Sequence, residues 1–204
     1  VKTWDAPTAV TAHRQELTGQ LSLALAAEGI AHNVVTNDPK TLRAIVSAHV
    51  EDVGRSFINP TSEIRVVGID TLVRMNPDAD PWFKRVRYYV NDEGHHVLRD
   101  NKWGTGYAMF PNARGFFPTA TPIRADGRGL GRDADGFVDE LIEGPSMRAL
   151  IEMGFLTDYR VFCPEVKVNL AQVHISGATG DYNQHEVRKA VHAAPELVGD
   201  IVRE

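Results

Sequence analysis

The sequence predicts an α/β fold with a mainly parallel sheet and flanking helices. Short apolar segments typical of buried strands alternate with longer segments in which apolar residues recur at helical spacing. Two of the predicted strands run directly into polar residues, which is typical of parallel strands that end at the edge of an open sheet. The alternation itself favours crossover helices between parallel strands.

Two helices are predicted in the N-terminal third of the chain. The first begins near Thr11, where apolar residues recur at helical spacing, and ends at Gly29. The second follows Asp38 and Pro39, an order in which a capping side chain precedes a proline suited to the first helical turn. Gly54 is the predicted end of this second helix.

Short apolar runs predict three buried strands, over residues 64–67, 86–90 and 115–117. A helix over 145–153 is then expected to lead to a further strand over 159–163. Because that order resembles a crossing into a new unit, we expect a domain boundary near residue 157. Further helical segments are predicted over 185–192 and 196–202, after a polar loop.

The composition indicates a globular protein that carries excess negative charge. Its 204 residues, 43% hydrophobic and 24% charged, suffice for one core and the beginning of another. The net charge of −5 argues against bulk electrostatic coating of nucleic acid, although 22 Lys and Arg residues can line a local groove. No apolar run approaches the roughly 20 residues of a membrane span. The single cysteine, Cys163, allows no internal disulfide and favours a reducing, cytoplasmic location.

Two adjacent carboxylates, Asp92 and Glu93, follow the predicted strand over 86–90. A parallel sheet would present them at the carboxyl ends of its strands, where ligands of open α/β sheets bind. An Asp that holds Mg²⁺ and a Glu that polarises water form the hydrolytic half of a nucleotide site. The alternative is a strand that ends in a solvated acidic turn.

A second strand with a polar continuation lies about one crossover later. Thr119 and Thr121 follow the predicted strand over 115–117 within a Thr-Ala-Thr-Pro run. Their hydroxyls could hydrogen-bond to His95 and so transmit the state of a nucleotide. Taken alone, this run is only a turn signal.

Four segments resemble motifs of superfamily 2 helicases of the DEAD/DEAH-box kind, in the order found in that family. Asp-Glu-Gly-His at 92–95 resembles motif II, with glycine where alanine is more usual. Thr-Ala-Thr-Pro at 119–122 resembles motif III. Residues 11–17 resemble motif Ia and residues 67–74 resemble motif Ib, so the set covers about residues 9–130.

The resemblance implies a RecA-like helicase ATP-binding domain over 1–157 and the beginning of a second RecA-like domain over 158–204. Residues 154–162 look like the passage between the two in bacterial and phage members. In such a core Asp92 would bind Mg²⁺ through water, and Glu93 would orient the attacking water. His95 would couple with the threonines of motif III to link nucleotide state to the grip on nucleic acid.

Motifs Ia and Ib of this family touch the phosphodiester backbone of one strand. The corresponding residues here are His13, Arg14, Gly68, Asp70, Thr71 and Arg74. Such contacts position a strand without reading its sequence. The alternative for Arg14 and Arg74 is surface solvation, and for His13 it is a hydrogen-bonded place at a strand end.

One part of an ATP-driven helicase is missing from the sequence. The phosphates need a Gly-rich loop that ends in Gly-Lys-Ser/Thr, the Walker A segment, and the chain contains no Gly-Lys dipeptide. Ala-Pro-Thr at 6–8 commonly opens that loop in the family, yet Ala-His-Arg of motif Ia follows at 12–14. A second chain or segment would therefore have to supply the phosphate loop and the rest of the second domain.

These observations imply part of an ATP-dependent DNA helicase or translocase core, inactive as an isolated chain. ATP and Mg²⁺ are the implied cofactors, and nucleic acid, DNA rather than RNA, is the implied partner. One alternative is a non-enzymatic relative, a pseudo-ATPase that binds nucleic acid or protein through the inherited fold. Another is a metallohydrolase cluster of Asp92, Glu93, His95 and His96, whose spacing fits no zinc-protease pattern. We also expect marginal stability or self-association, because a sheet without its phosphate-loop strand exposes an edge.

Overall fold

The chain divides into two compact units. The first consists of Val1–Arg124 with Gly129–Val138, and the second of Ala125–Arg128 with Asp139–Glu204. The computed structural model describes residues 6–122, 128–134, 136–160, 169–176 and 182–192. The expected boundary near residue 157 falls within the second unit, and the assignment of 158–204 to a second RecA-like domain stays a prediction.

A five-stranded, all-parallel sheet forms the centre of the first unit. Its strands are β1 (Thr8–Ala12), β2 (Asn33–Val35), β3 (Ile64–Gly68), β4 (Tyr88–Asn91) and β5 (Arg114–Phe116). Their spatial order is β2-β3-β1-β4-β5. The predicted α/β fold with a parallel sheet and flanking helices is confirmed, and it is consistent with the RecA-like architecture.

Helices connect successive strands and cover the sheet. The first unit contains α1 (Gln15–Ala27), α2 (Pro39–Val53), α3 (Ile69–Leu72), α4 (Trp82–Arg85) and α5 (Lys102–Ala108). The second unit contains α6 (Met147–Glu152) and α7 (Gln184–His192). Short 3₁₀ turns occur at Gly94–His96 and Arg132–Ala134. None of the helices in the described ranges has the length and apolarity needed to cross a membrane.

The predicted ends of α2 are confirmed. The Asp38 carboxylate accepts hydrogen bonds from the backbone N–H groups of Lys40 and Thr41, and Pro39 occupies the first turn. Gly54 ends the helix with a φ of 79°, a left-handed conformation that favours glycine. Local side-chain chemistry therefore determines both ends of this helix.

The prediction for the first fifteen residues is wrong in one respect. β1 occupies Thr8–Ala12, where a helix was expected to begin near Thr11, and α1 begins only at Gln15. β1 pairs with β3 on one side and β4 on the other, and all five of its residues are buried. Its small residues give no apolar alternation, because a central strand covered on both faces needs none.

The later predictions have mixed outcomes. The predicted helix over 145–153 is observed as α6, and Gly154 follows it with a φ of 77°. The predicted helix over 185–192 is observed as α7. Residues 159 and 160 form no strand, while 161–163 and the predicted helix over 196–202 lie outside the described residues.

Apolar side chains pack on both faces of the sheet. Successive strand residues point to opposite faces, so Ala9 joins one cluster and Val10 the other. The first cluster contains the aromatic residues Trp82, Phe83 and Phe110, and the indole of Trp82 meets the ring of Phe110 edge-on at 5.3 Å. Pairs of this kind add about 0.5–1.5 kcal/mol beyond the burial of their area.

One edge of the sheet is left exposed. All three residues of β5 are exposed, and the side chain of Phe116 retains 60% of its accessible surface. At the other edge, a parallel bridge from His32 to Ile58 extends the pairing beyond β2. An open edge favours association with another strand, so self-association or a partner stays a prediction.

A buried hydrogen-bond chain joins α1, α2 and the segment before β2. The backbone N–H of Phe57 donates to His49 Nδ1 at 3.3 Å, so His49 donates from Nε2 to Ser22 Oγ at 3.1 Å. The Ser22 hydroxyl donates to His32 Nε2 at 2.7 Å, and His32 Nδ1 donates to the Ile30 carbonyl at 2.8 Å. This single direction of donation requires both imidazoles to be neutral.

Acidification is expected to destabilise the protein through these two histidines. Burial lowers the pKa of both His32 and His49 below the ordinary value. The unfolded chain therefore takes up their protons first, and the free energy of unfolding falls as the pH decreases from about 6.5. Urea denaturation between about pH 7.5 and about pH 5 measures this slope.

A matched pair of variants tests how much the buried hydrogen-bond chain contributes to the pH dependence of stability. We expect His49→Gln to flatten the pH dependence, because one of the two neutral imidazoles is removed, whereas His185→Gln, at an exposed position of α7, leaves it unchanged. Identical slopes for the wild type and His49→Gln would contradict this account.

Candidate functional site

The carboxyl ends of the neighbouring strands β3, β1 and β4 lie level with one another. They form the carboxyl edge of the sheet, which is distinct from the lateral edges formed by β2 and β5. Ala12 of β1 pairs with Gly68 of β3, and Thr11 pairs with Asn91 of β4. The polar residues that follow these strands therefore emerge along one line. This edge, where ligands of parallel sheets bind, contains the predicted motifs Ia, Ib and II.

His95 lies at the centre of a polar cluster that joins the ends of β4 and β5. Its Nδ1 atom is 2.8 Å from the hydroxyl oxygen of Thr119 and 3.4 Å from that of Thr121. The same atom is 3.4 Å from Oε2 of Glu93. The hydrogen bonds expected from the sequence between His95 and both threonines are thus present, and Glu93 belongs to the same network.

The side chain of Asn91 connects the loop that carries Asp92 to β1. This side chain is fully buried, accepts the Thr11 hydroxyl at 2.7 Å and donates to the Asp92 carbonyl at 2.8 Å. The backbone N–H of Asp92 donates to the Thr11 carbonyl at 3.1 Å. Asn91 had no role in the sequence prediction, although its position between the strand and the carboxylates was a signal. It fixes the carboxylate loop to the central strand.

Glu93 has a backbone conformation that L-residues rarely adopt. Its φ is 57° and its ψ is 53°, and among the described residues it is the only non-glycine with a positive φ. That conformation costs about 1 kcal/mol or more for a residue with a side chain. The Asp92 carboxylate offsets part of this cost, because its Oδ1 accepts the Glu93 N–H at 3.0 Å. Strain of this kind is concentrated at functional sites.

Gly94 allows the loop after β4 to approach the loop after β5. Its N–H donates to the Pro118 carbonyl at 2.8 Å. A Cβ atom at position 94 would lie 2.5 Å from both the carbonyl oxygen and the Cβ of Phe117. This close approach requires glycine at position 94.

The candidate strand contacts of motif Ia lie beside this cluster. His13 is half-buried and Arg14 is exposed. Burial and the charge of Arg14 lower the pKa of His13, while the carboxylates of Glu93 and Asp92 oppose that change. The Nδ1 atom of His13 is buried and has no hydrogen-bond partner among the described residues. His13 is therefore close enough to the two carboxylates to respond to their charge.

The candidate contacts of motif Ib occupy the end of β3 and the turn of α3. Gly68 ends the strand, Asp70 lies exposed in the first turn of α3, and Thr71 is half-buried in the same turn. Arg74 is exposed just beyond α3. The Asp70 carboxylate is 2.8 Å from Nζ of Lys102, a residue that the sequence prediction did not include.

Residues at the start of α5 complete this edge. Asn101 caps the helix by accepting the N–H groups of Trp103 and Gly104, and it donates to the His96 carbonyl at 2.7 Å. The ring of Trp103 stacks on His96 with centroids 4.9 Å apart. The His96 ring in turn lies 4.2 Å from that of His95 and 5.8 Å from that of His13. A set of aromatic rings therefore connects motif Ia with motif II.

The metallohydrolase alternative has no structural support at this site. No group of three or more His, Cys, Asp or Glu side chains in the described ranges could hold a metal ion, so the four residues of the metallohydrolase alternative do not form one. Cys163 lies outside the described residues.

Comparisons with known proteins do not identify a relative. No protein-family model matches the chain, and no curated protein matches it. The resemblance to superfamily 2 helicases therefore depends on the four sequence motifs alone.

Gly94→Ala is expected to separate the two loops of the cluster. The added Cβ would meet backbone atoms of Phe117, so the chain that leads to Thr119 must shift and its hydrogen bond to His95 is lost. We expect a loss of about 1–3 kcal/mol in the free energy of unfolding. We also expect a change in the imidazole nitrogen resonances of His95, measured by NMR.

Gly19→Ala is the matched control for this substitution. A Cβ at position 19 would have only an ordinary contact, 3.8 Å from the side chain of Ile45 in α2. Because Gly19 lies within α1, alanine is expected to be neutral or to stabilise by up to about 1 kcal/mol. Equal stability of the two variants would show that Gly94 is not sterically required.

Proposed function

We propose that this chain is part of an ATP-dependent DNA helicase or translocase core of superfamily 2, with a second segment required for the phosphate loop. The position of His95 is the main observation that supports this proposal. Its Nδ1 lies between Glu93 and Thr119, at the sheet edge that also ends β1 and β3. Nucleotide hydrolysis and strand binding would then use adjoining parts of one edge.

The two carboxylates suit different tasks in phosphoryl transfer. Asp92 offers oxygen ligands of the kind that Mg²⁺ prefers, in sites that commonly combine one or two carboxylates with water and substrate phosphates. A bound Mg²⁺ would neutralise charge on the phosphates. Glu93 would orient the attacking water, and its Oε2 lies 3.4 Å from Nδ1 of His95.

The threonines supply a route from the nucleotide to the rest of the domain. A change in the position of the Glu93 carboxylate alters the surroundings of His95 Nδ1, which Thr119 also contacts. Thr119 follows β5, so the response would pass into a second loop. This arrangement supports the linking role that the resemblance implies for His95, Thr119 and Thr121.

The strand contacts belong to the neighbouring part of the edge. Arg14 is an exposed cation at the end of β1, and Arg74 is another beyond α3. Gly68 and Thr71 offer backbone and hydroxyl groups of the kind that commonly bind phosphate oxygens. Contacts of this type favour a nucleic-acid strand without selecting its sequence.

The second candidate function is a pseudo-ATPase that binds nucleic acid without hydrolysis. The absence of any Gly-Lys dipeptide favours it, since such a loop normally surrounds the phosphates. The strained Glu93 and its contact with His95 favour the hydrolytic function, because a solvated turn would not need either.

Binding of single-stranded DNA tests the proposal at the strand-contact edge. We expect the wild type to bind a fluorescent oligothymidylate and to lose affinity steeply as salt increases. Arg14→Ala should weaken binding about fivefold to tenfold, because one phosphate contact is lost. Arg43→Ala, at an exposed position of α2, is the matched control and should bind like the wild type. Absence of binding at low salt would contradict the proposal.

Mg²⁺-dependent ATP hydrolysis separates the two candidate functions. The isolated chain is expected to hydrolyse no more ATP than its Glu93→Gln variant, because it lacks the phosphate loop. Hydrolysis that Glu93→Gln abolishes and DNA stimulates would show that another part of the chain binds the phosphates. If a separately supplied phosphate-loop segment never restores Glu93-dependent hydrolysis, the pseudo-ATPase is favoured.

A further inference from the structure

Lys102 occupies an unusual position beside the strand-contact edge. Its Nζ atom is 2.8 Å from Oδ1 of Asp70 and lies 4.6 Å from the ring centroid of Trp103. The Lys102 side chain is 39% exposed and that of Asp70 is 59% exposed. A lysine in the first turn of a helix opposes the helix dipole, so α5 by itself gives no reason for a cation at this position.

Trp103 provides a rigid surface beneath this cation. Its side chain is only 4% exposed, and its ring is stacked at 28° on His96. The indole Nε1–H is buried without an acceptor among the described residues. The ammonium group of Lys102 thus contacts the Asp70 carboxylate of α3 and the ring of Trp103, its neighbour in α5.

The partner of Lys102 is poorly suited to the role that its sequence position implies. Asp70 was expected to contact a phosphodiester backbone, yet a carboxylate repels a phosphate. Its charge is instead directed at Lys102, and an exposed ion pair of this kind contributes only about 0–1 kcal/mol. A strand phosphate can therefore replace the carboxylate at little cost in free energy.

We propose that Lys102 binds a phosphate of the nucleic-acid strand, and that Asp70 is the counter-ion which positions Lys102 until the phosphate replaces it. This inference rests on the proposed function and adds a contact that motifs Ia and Ib do not contain. Lys102 lies over the Trp103 ring, which stacks on His96, and the His96 ring lies 5.8 Å from that of His13. The phosphate would consequently lie between the contacts of β1 and those of β3.

The two partners of the ion pair give opposite predictions for DNA binding. Lys102→Met removes the phosphate contact, and we expect a loss of about tenfold in affinity for oligothymidylate. The slope of log affinity against log salt should decrease by about 0.7 for the lost contact with a single strand. Asp70→Asn removes the competing anion, and we expect affinity to rise about twofold to fivefold.

Opposite changes in DNA affinity for the two variants distinguish phosphate binding by Lys102 from a purely structural role of the ion pair. If the ion pair only stabilises the fold, both variants lose affinity together with thermal stability, and that result would overturn the inference. Lys84→Met, in α4 before the amino end of β4, and Asp78→Asn, between α3 and α4, are matched controls at exposed positions, and neither should change affinity. Thermal denaturation of every variant verifies that the fold is retained.

The indole of Trp103 supplies a second measurement. Its Nε1–H resonance, identified by its loss in Trp103→Phe, should shift when oligothymidylate is added to the wild type, because the cation above the ring changes partner. The shift should be absent in Lys102→Met. A wild type that binds no DNA would overturn both this inference and the proposed function. DNA binding that depends on Arg14 but not on Lys102 or Asp70 would overturn this inference alone.

Discussion

β1 pairs in parallel with β3 on one side and with β4 on the other, and this pairing determines where the side chains of the candidate site lie. β1 is the only strand that joins the two halves of the sheet, and its five residues are buried. Its register brings the ends of three strands level at one edge. Thr11 extends that control to the site, because its hydroxyl fixes Asn91 and its carbonyl accepts the N–H of Asp92.

A second constraint is the close approach of the loops after β4 and β5. The glycine at position 94 permits it, and the hydrogen bond to Pro118 maintains it. Glu93, immediately before this glycine, has the strained backbone conformation. Strain, close approach and the contacts of His95 are thus consequences of one local geometry.

The sequence predicted those parts of the fold that local chemistry determines. Asp38 and Gly54 identified the ends of α2, and the polar residues after two strands identified the cluster around His95. β1 was missed because its small residues show neither helical nor strand periodicity, and only pairing on both sides stabilises it. The ion pair between Asp70 and Lys102 joins residues that are distant along the chain, so no local pattern could indicate it.

We propose that the carboxyl ends of β1, β3 and β4 together bind one nucleic-acid strand. Amide NMR spectra of the labelled chain, recorded as oligothymidylate is added, test it most directly. We predict chemical-shift changes at residues 12–14, 68–71 and 102–103, with little change at the amino ends of the same strands. Changes confined to the amino ends or to α7, or no changes at all, would contradict it.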